Sequence, residues 1–213
     1  MQNHDRYNQA EDEFQNNHRG KFIVIYGVNN LGKTTQAKML VEKLKLHGLA
    51  AEYIKYPIYD ITPSGPILNN YLRNNNPSRL SPREVQIIYA FNRAQYEKIL
   101  LEKLAQDINI VAEDYTGTGI AWGMAYGLSE NFLKYINSNL IKEDIAFLFD
   151  GKRYLESIEN NHQHESNDQL IIKARIAHLR LGYEFGWIMI NANQSIRQIH
   201  DQIWNHVLKL LII

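Results

Sequence analysis

The stretch GVNNLGKT at residues 27–34 decides the fold. It fits the pattern G-x-x-x-x-G-K-[ST], with the apolar run FIVIY at 22–26 before it and a helical pattern at 34–47 after it. Glycines let the chain curl until successive backbone N–H groups point at an anion, and a helix N-terminus adds partial positive charge. The stretch therefore predicts a phosphate-binding loop between a buried strand and a helix.

The same motif predicts individual roles. We expect Lys33 to reach the β- and γ-phosphates of ATP, and the Thr34 hydroxyl to join the coordination shell of Mg²⁺. The other residues expected to line the phosphates are Gly27, Asn29, Asn30, Leu31, Gly32 and Thr35. A glycine turn that merely joins a strand to a helix is the weaker interpretation, because the complete motif lies in its complete context.

Strand and helix patterns alternate along the rest of the chain. The capping box Ser81–Glu84 predicts a long helix over 82–105, and Ser195 is expected to cap a final helix. The proline-rich stretch 57–66 is predicted to be a loop. Further strands are predicted at 52–56, 109–112, 145–149 and 187–190. This alternation predicts a three-layer α/β P-loop fold, with a five-stranded, mainly parallel sheet flanked by helices and ligands at the carboxyl ends of the strands.

Composition narrows the class of protein. The chain has 213 residues, which suits one domain at 20–213 preceded by a polar tail at 1–19. Basic and acidic residues number 23 each, so we expect no nucleic-acid partner. There is no cysteine, which excludes disulfides and thiolate chemistry. No apolar run is long enough to predict a membrane span, so a cytoplasmic location is expected.

Two acidic residues follow the strand predicted at 109–112. An acid at this strand end would lie beside the phosphate-binding loop and could hold Mg²⁺. Glu113 is the expected metal ligand and a candidate catalytic residue, whereas Asp114 is expected to point to the other face. Two solvated loop carboxylates are the alternative interpretation.

With these features placed, residues 21–207 resemble the thymidylate kinase family. The shared segments are Lys33-Thr34-Thr35-Gln36, Tyr56-Pro57 with Gly65 and Tyr71-Leu72, Ile88-Tyr89-Ala90-Phe91-Asn92-Arg93, and Glu113-Asp114-Tyr115. The resemblance implies a nucleoside monophosphate kinase that uses ATP and Mg²⁺, with dTMP as the best acceptor candidate. It also implies a homodimer that packs through helices.

The resemblance also implies substrate-binding residues. Tyr89 would stack on thymine while Arg93 hydrogen-bonds the base edge, and positions 89 and 93 are i,i+4 neighbours on one helix face. Thr118 and Trp122 would line the deoxyribose side. The remaining residues assigned by the resemblance are Tyr56 and Tyr115 in the acceptor pocket and Asn193 near adenine.

The chain departs from the family at the acceptor phosphate. Asp114 and Tyr59 stand where the family has arginines that hold this group, so a dianion would need other cations. The candidates to replace them are Arg73, Arg79 and Arg153. In the phosphate-binding loop, Asn29 replaces an aspartate, and Tyr26 replaces the glutamate that often precedes the first loop glycine.

The segment 151–168 corresponds to the family's arginine-rich lid, yet its only lysine and arginine are Lys152 and Arg153. Arg153 is the candidate for the catalytic cation that the lid would supply. His162 and His164 with Glu165 form a weak metal-site pattern, and exposed loop histidines are the favoured interpretation.

The sequence is also compatible with two other functions. A deoxynucleoside kinase would transfer phosphate to a hydroxyl and would need a carboxylate base, which Asp114 or Asp60 could supply. A P-loop module that binds nucleotide without turnover would suit the sparse lid, although the intact Lys33-Thr34 pair argues against it.

Overall fold

The computed structural model describes residues 20–153 and 168–212. A five-stranded sheet has the order β2-β3-β1-β4-β5, and every neighbouring pair is parallel. The strands are β1 (Phe22–Tyr26), β2 (Ala51–Lys55), β3 (Asn109–Glu113), β4 (Ile145–Asp150) and β5 (Ile188–Asn191). The helices are α1 (Lys33–Leu46), α2 (Ser64–Arg73), α3 (Pro82–Ala105), α4 (Thr116–Ala125), α5 (Glu130–Tyr135), α6 (Asp168–Phe185) and α7 (Ile196–Ile212).

Burial on both faces of the sheet explains why the inner strands β1 and β4 are almost uniformly apolar. Successive side chains of β1 point to opposite faces, so Ile23 and Ile25 join one core and Phe22 joins the other. Leu40 of α1 belongs to the first core and Leu100 of α3 to the second. The predicted three-layer α/β fold is confirmed.

Several predicted boundaries differ from those of the structure. The stretch 57–66 is not wholly a loop, because α2 begins at Ser64. Pro66 is compatible with this helix because the N–H groups of a first turn have no intrahelical partner. Helix α1 begins at Lys33, one residue earlier than predicted, and strands β2 and β5 are each displaced by one residue.

The predicted capping box of α3 is confirmed. The Ser81 hydroxyl accepts a hydrogen bond from the Glu84 backbone N–H at 3.3 Å, and the Glu84 carboxylate accepts one from the Ser81 backbone N–H at 2.7 Å. Ser195 and Gln198 form the same reciprocal pair at the start of α7. Both pairs satisfy backbone donors that a helix start leaves open.

Some predictions lie outside the described residues. These are the tail at 1–19 and, within the lid, His162, His164 and Glu165. Across 20–153 and 168–212, no helix is both long and apolar enough to cross a bilayer.

Candidate active site

The phosphate-binding loop joins β1 to α1 in the conformation that its glycines permit. Gly27 has φ 137° and Gly32 has φ 82°. A Cβ atom on Gly27 would lie 2.6 Å from the Phe149 carbonyl oxygen, so the chain passes too close to β4 for a side chain. The buried Lys33 ammonium donates to the carbonyls of Gly27 and Val28, both at 2.9 Å, which places its charge inside the loop.

Glu113 lies beside the loop, as predicted. Its carboxylate accepts hydrogen bonds from the Thr34 hydroxyl at 2.6 Å and the Tyr53 hydroxyl at 2.8 Å, and Lys55 Nζ lies 2.9 Å from its other oxygen. Burial alone would raise the pKa of Glu113, but the charges of Lys33 and Lys55 outweigh it and lower the pKa. Glu113 is therefore held as a carboxylate.

The prediction that Asp114 points to the other face was wrong. Asp114 has φ 63°, a left-handed conformation that aspartate tolerates, and its side chain lines the same cavity as Glu113. Its Oδ1 lies 3.7 Å from Lys33 Nζ and accepts a hydrogen bond from the Thr118 hydroxyl at 2.9 Å. Burial raises the pKa of Asp114 despite the nearby Lys33 charge, and the charge of Glu113 adds to the rise.

The oxygens of Thr34 and Glu113 fit Mg²⁺. Magnesium prefers hard oxygen donors and is commonly held by one or two protein groups, with water and substrate phosphates completing the shell. Within the described residues there is no group of three or more His, Cys, Asp or Glu side chains that could form an all-protein metal cage. A shared metal site, completed by substrate, is what these residues can form.

A cavity of about 590 Å³ is lined by the phosphate-binding loop and by residues of helices α3 and α4. Its size suits small ligands. Most of the predicted site residues line it: Asn29, Asn30, Leu31, Gly32, Lys33, Thr34, Thr35, Tyr56, Tyr89, Arg93, Glu113, Tyr115, Thr118 and Trp122. The fold thus brings the loop, the acidic strand end and the aromatic pocket into one site.

Arg93 and Tyr89 line the same cavity as the phosphate-binding loop. Arg93 is 4% exposed, donates to the Asn137 side chain at 2.9 Å, and has its Cζ 6.0 Å from the Tyr89 ring centroid. Its Nε is buried without a hydrogen-bond partner among the described residues. A buried donor without a partner is costly, so a ligand atom that accepts from it gains affinity.

Helix α4 packs tightly against this arginine. A Cβ atom on Gly119 would lie 2.5 Å from Arg93 Nη2, so the glycine leaves room for the guanidinium. The α4 stretch was not predicted as a helix, because its glycines carry low helix propensity. Their small size is required by packing.

Two predicted residues lie at the margin of the cavity. Arg153 Nε donates to the Asn29 carbonyl at 3.3 Å, so its charge lies against the phosphate-binding loop. Asn193 pairs with the backbone of Lys152 through hydrogen bonds of 2.7 and 3.0 Å, while its neighbour Ala192 lines the cavity. The adenine contact of Asn193 stays a prediction.

The residues of the site that were not predicted from the sequence include Lys55, Tyr53 and Asn137. Lys55 could have been found, because it ends β2 and ligands of parallel sheets bind at the carboxyl ends of strands. Tyr53 and Asn137 gave no such signal, since each acts through a contact with a residue far away in the chain.

The chain is similar to known proteins over most of its length. Residues 25–203 match the thymidylate kinase family. The chain is 26% identical to thymidylate kinase from Plasmodium falciparum (isolate 3D7), over 91% of this chain and 92% of that one. It is 29% identical to thymidylate kinase from Homo sapiens, over 87% and 88% respectively. A solved thymidylate kinase structure from Candida albicans superposes with a TM-score of 0.73 at 24% identity, covering 90% of this chain and 92% of that one, and supports the fold.

Proposed function

The chain belongs to the thymidylate kinase family of nucleoside monophosphate kinases, and from that premise we propose that it transfers the γ-phosphate of ATP to dTMP, giving dTDP and ADP. The observation that carries the proposal is a cavity lined by two chemically different groups of residues. One group is the phosphate-binding loop, and the other includes Tyr89 and Arg93. The first suits a triphosphate and the second a flat base.

The residues in and around the phosphate-binding loop act on the donor. Lys33 and the loop amides bind the β- and γ-phosphates and neutralise charge that develops during transfer. Thr34 and Glu113 would hold Mg²⁺, which would offset the negative charge of the phosphates. Arg153, placed against Asn29, adds a cation at the edge of the loop.

The residues of the other group orient the acceptor. Tyr89 offers a ring face and Arg93 offers donors to the base edge, while Thr118 and Trp122 border the sugar. An oxygen of the acceptor phosphate then attacks the γ-phosphorus in line, and the bond from that phosphorus to the β-bridging oxygen breaks. Positioning and charge neutralisation supply the rate acceleration, with no covalent intermediate on the protein.

Asp114 supports a second candidate, a deoxynucleoside kinase. A buried carboxylate with a raised pKa, 3.7 Å from Lys33, could accept a proton from an acceptor hydroxyl. This reaction would use the same donor site and base pocket, so only the acceptor distinguishes the two.

We propose that the protein is a homodimer through α3. Ile87 and Phe91 lie one helical turn apart on this helix and are 45% and 48% exposed. Large apolar side chains exposed together mark interaction surfaces. Light scattering after size-exclusion chromatography should give twice the monomer mass for the wild type and the monomer mass for Phe91→Glu; a monomeric wild type contradicts the dimer.

An acceptor panel tests the proposed function. The pure protein is incubated with ATP, Mg²⁺ and thymidine, dTMP, dUMP, dCMP or dGMP in turn, and the products are separated by chromatography. We expect dTDP from dTMP as the dominant product. Product from thymidine alone would transfer the assignment to a nucleoside kinase, and ATP binding without any product would favour a module that binds nucleotide without turnover.

A further inference from the structure

The acceptor phosphate of the proposed reaction needs cationic side chains that bind it. A phosphate monoester carries close to two negative charges at neutral pH and is usually held by charge-assisted hydrogen bonds from arginine or lysine. The position after Glu113 carries Asp114, whose carboxylate lines the cavity and would repel this group. The cations that compensate must therefore come from elsewhere in the cavity lining.

The cavity lining contains four cationic side chains: Lys33, Lys55, Arg73 and Arg93. Lys33 is enclosed by the phosphate-binding loop, where two carbonyls accept its hydrogen bonds. Arg93 is buried against Asn137 at the base end. Among the described lining residues, Lys55 and Arg73 are the cations that lie outside both the phosphate-binding loop and the base pocket.

Lys55 is held at the edge of the donor site. Its Nζ lies 2.9 Å from Glu113 Oε1, while Glu113 Oε2 is occupied by the hydroxyls of Thr34 and Tyr53. The lysine side chain is 48% exposed, and its charge is attracted by Asp114 as well as by Glu113. Glu113 thus holds the ammonium group of Lys55 beside the place where a phosphoryl group would be transferred.

Arg73 lines the same cavity from the end of helix α2. It is the last residue of α2, with its Cζ 4.8 Å from the Tyr59 ring centroid and its Nη1 donating to the Asn69 side chain at 3.2 Å. An arginine on an aromatic face keeps the in-plane donors of its guanidinium directed outward. Lys55, Tyr59 and Arg73 all line the same cavity.

We propose that Lys55 and Arg73 form the acceptor-phosphate subsite of this protein. The proposal rests on the proposed function, because a nucleoside acceptor would need no such subsite. It assigns Lys55 and Arg73 to the 5′-phosphate and leaves the nucleoside to Tyr89 and Arg93.

Binding measurements without ATP isolate this subsite. Calorimetry gives the affinity of dTMP and of thymidine, and their ratio reports the contribution of the phosphate alone. For Lys55→Met and for Arg73→Gln we expect the dTMP affinity to fall about 10- to 100-fold, the range expected for a lost charge-assisted hydrogen bond. Thymidine affinity should change less than about twofold, because the base contacts remain, and Lys55→Arg should restore most of the ratio.

A matched control removes another lysine that forms an ion pair with a glutamate. Lys103 forms an ion pair with Glu52 outside the cavity lining, so Lys103→Met loses an ion pair but no cavity cation. Its dTMP-to-thymidine ratio should equal that of the wild type. Thermal melting checks that each variant is folded, and Arg73→Gln, at a helix end, tests the subsite even where Lys55→Met does not fold.

The outcomes separate the subsite from the proposed function. A wild type that makes dTDP, with unchanged affinity ratios in both Lys55→Met and Arg73→Gln, overturns the subsite and leaves the function standing. A wild type that makes no dTDP, yet prefers dTMP to thymidine in a way that both variants lose, overturns the function and supports the subsite. Equal wild-type affinity for thymidine and dTMP overturns the subsite.

Discussion

At the scale of single residues, the base pocket depends on Arg93. For Arg93→Ala we expect the KM for dTMP to rise about 10- to 100-fold, because a buried charged donor is lost from the acceptor pocket. The affinity for ATP should change less than about twofold, since the phosphate-binding loop is formed by other residues of the cavity. Steady-state kinetics with each substrate varied in turn measures both. An equal loss of ATP affinity would mean that Arg93 does not belong to the acceptor pocket.

Gly119 tests the same pocket without removing any polar group. In Gly119→Ala the new methyl group would meet Arg93 Nη2 at 2.5 Å and displace the guanidinium. We expect a KM for dTMP raised about 10-fold, because a small displacement of a positioning group is costly. The same kinetic measurements detect it, and a KM equal to that of the wild type would show that the guanidinium position does not matter.

Single residues also show where sequence reasoning reached its limit. The roles of Lys33 and Thr34 could be predicted from the motif at 27–34, because a phosphate imposes one backbone arrangement on its binding loop. The direction of Asp114 was mispredicted because strand alternation assumes an extended backbone, and the chain enters a left-handed conformation at this residue. Contacts such as that between Arg93 and Asn137, 44 residues apart, require the tertiary structure.

At the scale of elements, the segment that follows β4 places Arg153 against the phosphate-binding loop. For Arg153→Ala we expect kcat to fall about 100-fold or more, with little change in either KM, because a cation near the transferring phosphoryl group acts mainly in the transition state. Comparison with Lys152→Ala, an exposed neighbour, distinguishes this effect from a general loss of charge. A normal kcat for Arg153→Ala would exclude the lid role.

Elements differed in how far the sequence predicted them. The central strands and α3 were predicted because apolar runs and a complete capping box are local signals. The beginning of α2 was missed because prolines in a first turn resemble a loop, and α4 was missed because its glycines serve packing against Arg93 and other side chains. In both helices tertiary contacts override local propensity.

At the scale of the whole molecule, His178 links stability to pH. This α6 residue is 1% exposed, and burial lowers the pKa of its imidazole from 6.5 to about 4, while its Nδ1 lies 2.8 Å from the Ala174 carbonyl. The neutral ring is favoured in the folded state, so its contribution is complete above pH 6.5. The contribution is lost as the pH falls toward 4.

The corresponding loss of unfolding free energy is about 3 kcal/mol, because each tenfold change in proton affinity between the folded and unfolded states is worth about 1.4 kcal/mol. Urea unfolding of the wild type and of His178→Leu at a series of pH values between 7 and 4 measures it. The variant should lose less stability over this range by about that amount. Parallel pH profiles for the two proteins would show that His178 is not a buried neutral histidine.

The central claim is that one cavity, with the loop lysine at its donor end, phosphorylates dTMP. The most direct measurement is the rate of dTDP formation from dTMP and ATP·Mg²⁺ by the wild type and by Lys33→Ala, with far-ultraviolet circular dichroism to show that both are folded. We expect steady turnover by the wild type and a rate lower by about 10³-fold or more for the variant, because the loop lysine neutralises the transferring phosphates. Equal rates from the two folded proteins, or no dTDP from the wild type, would contradict the claim.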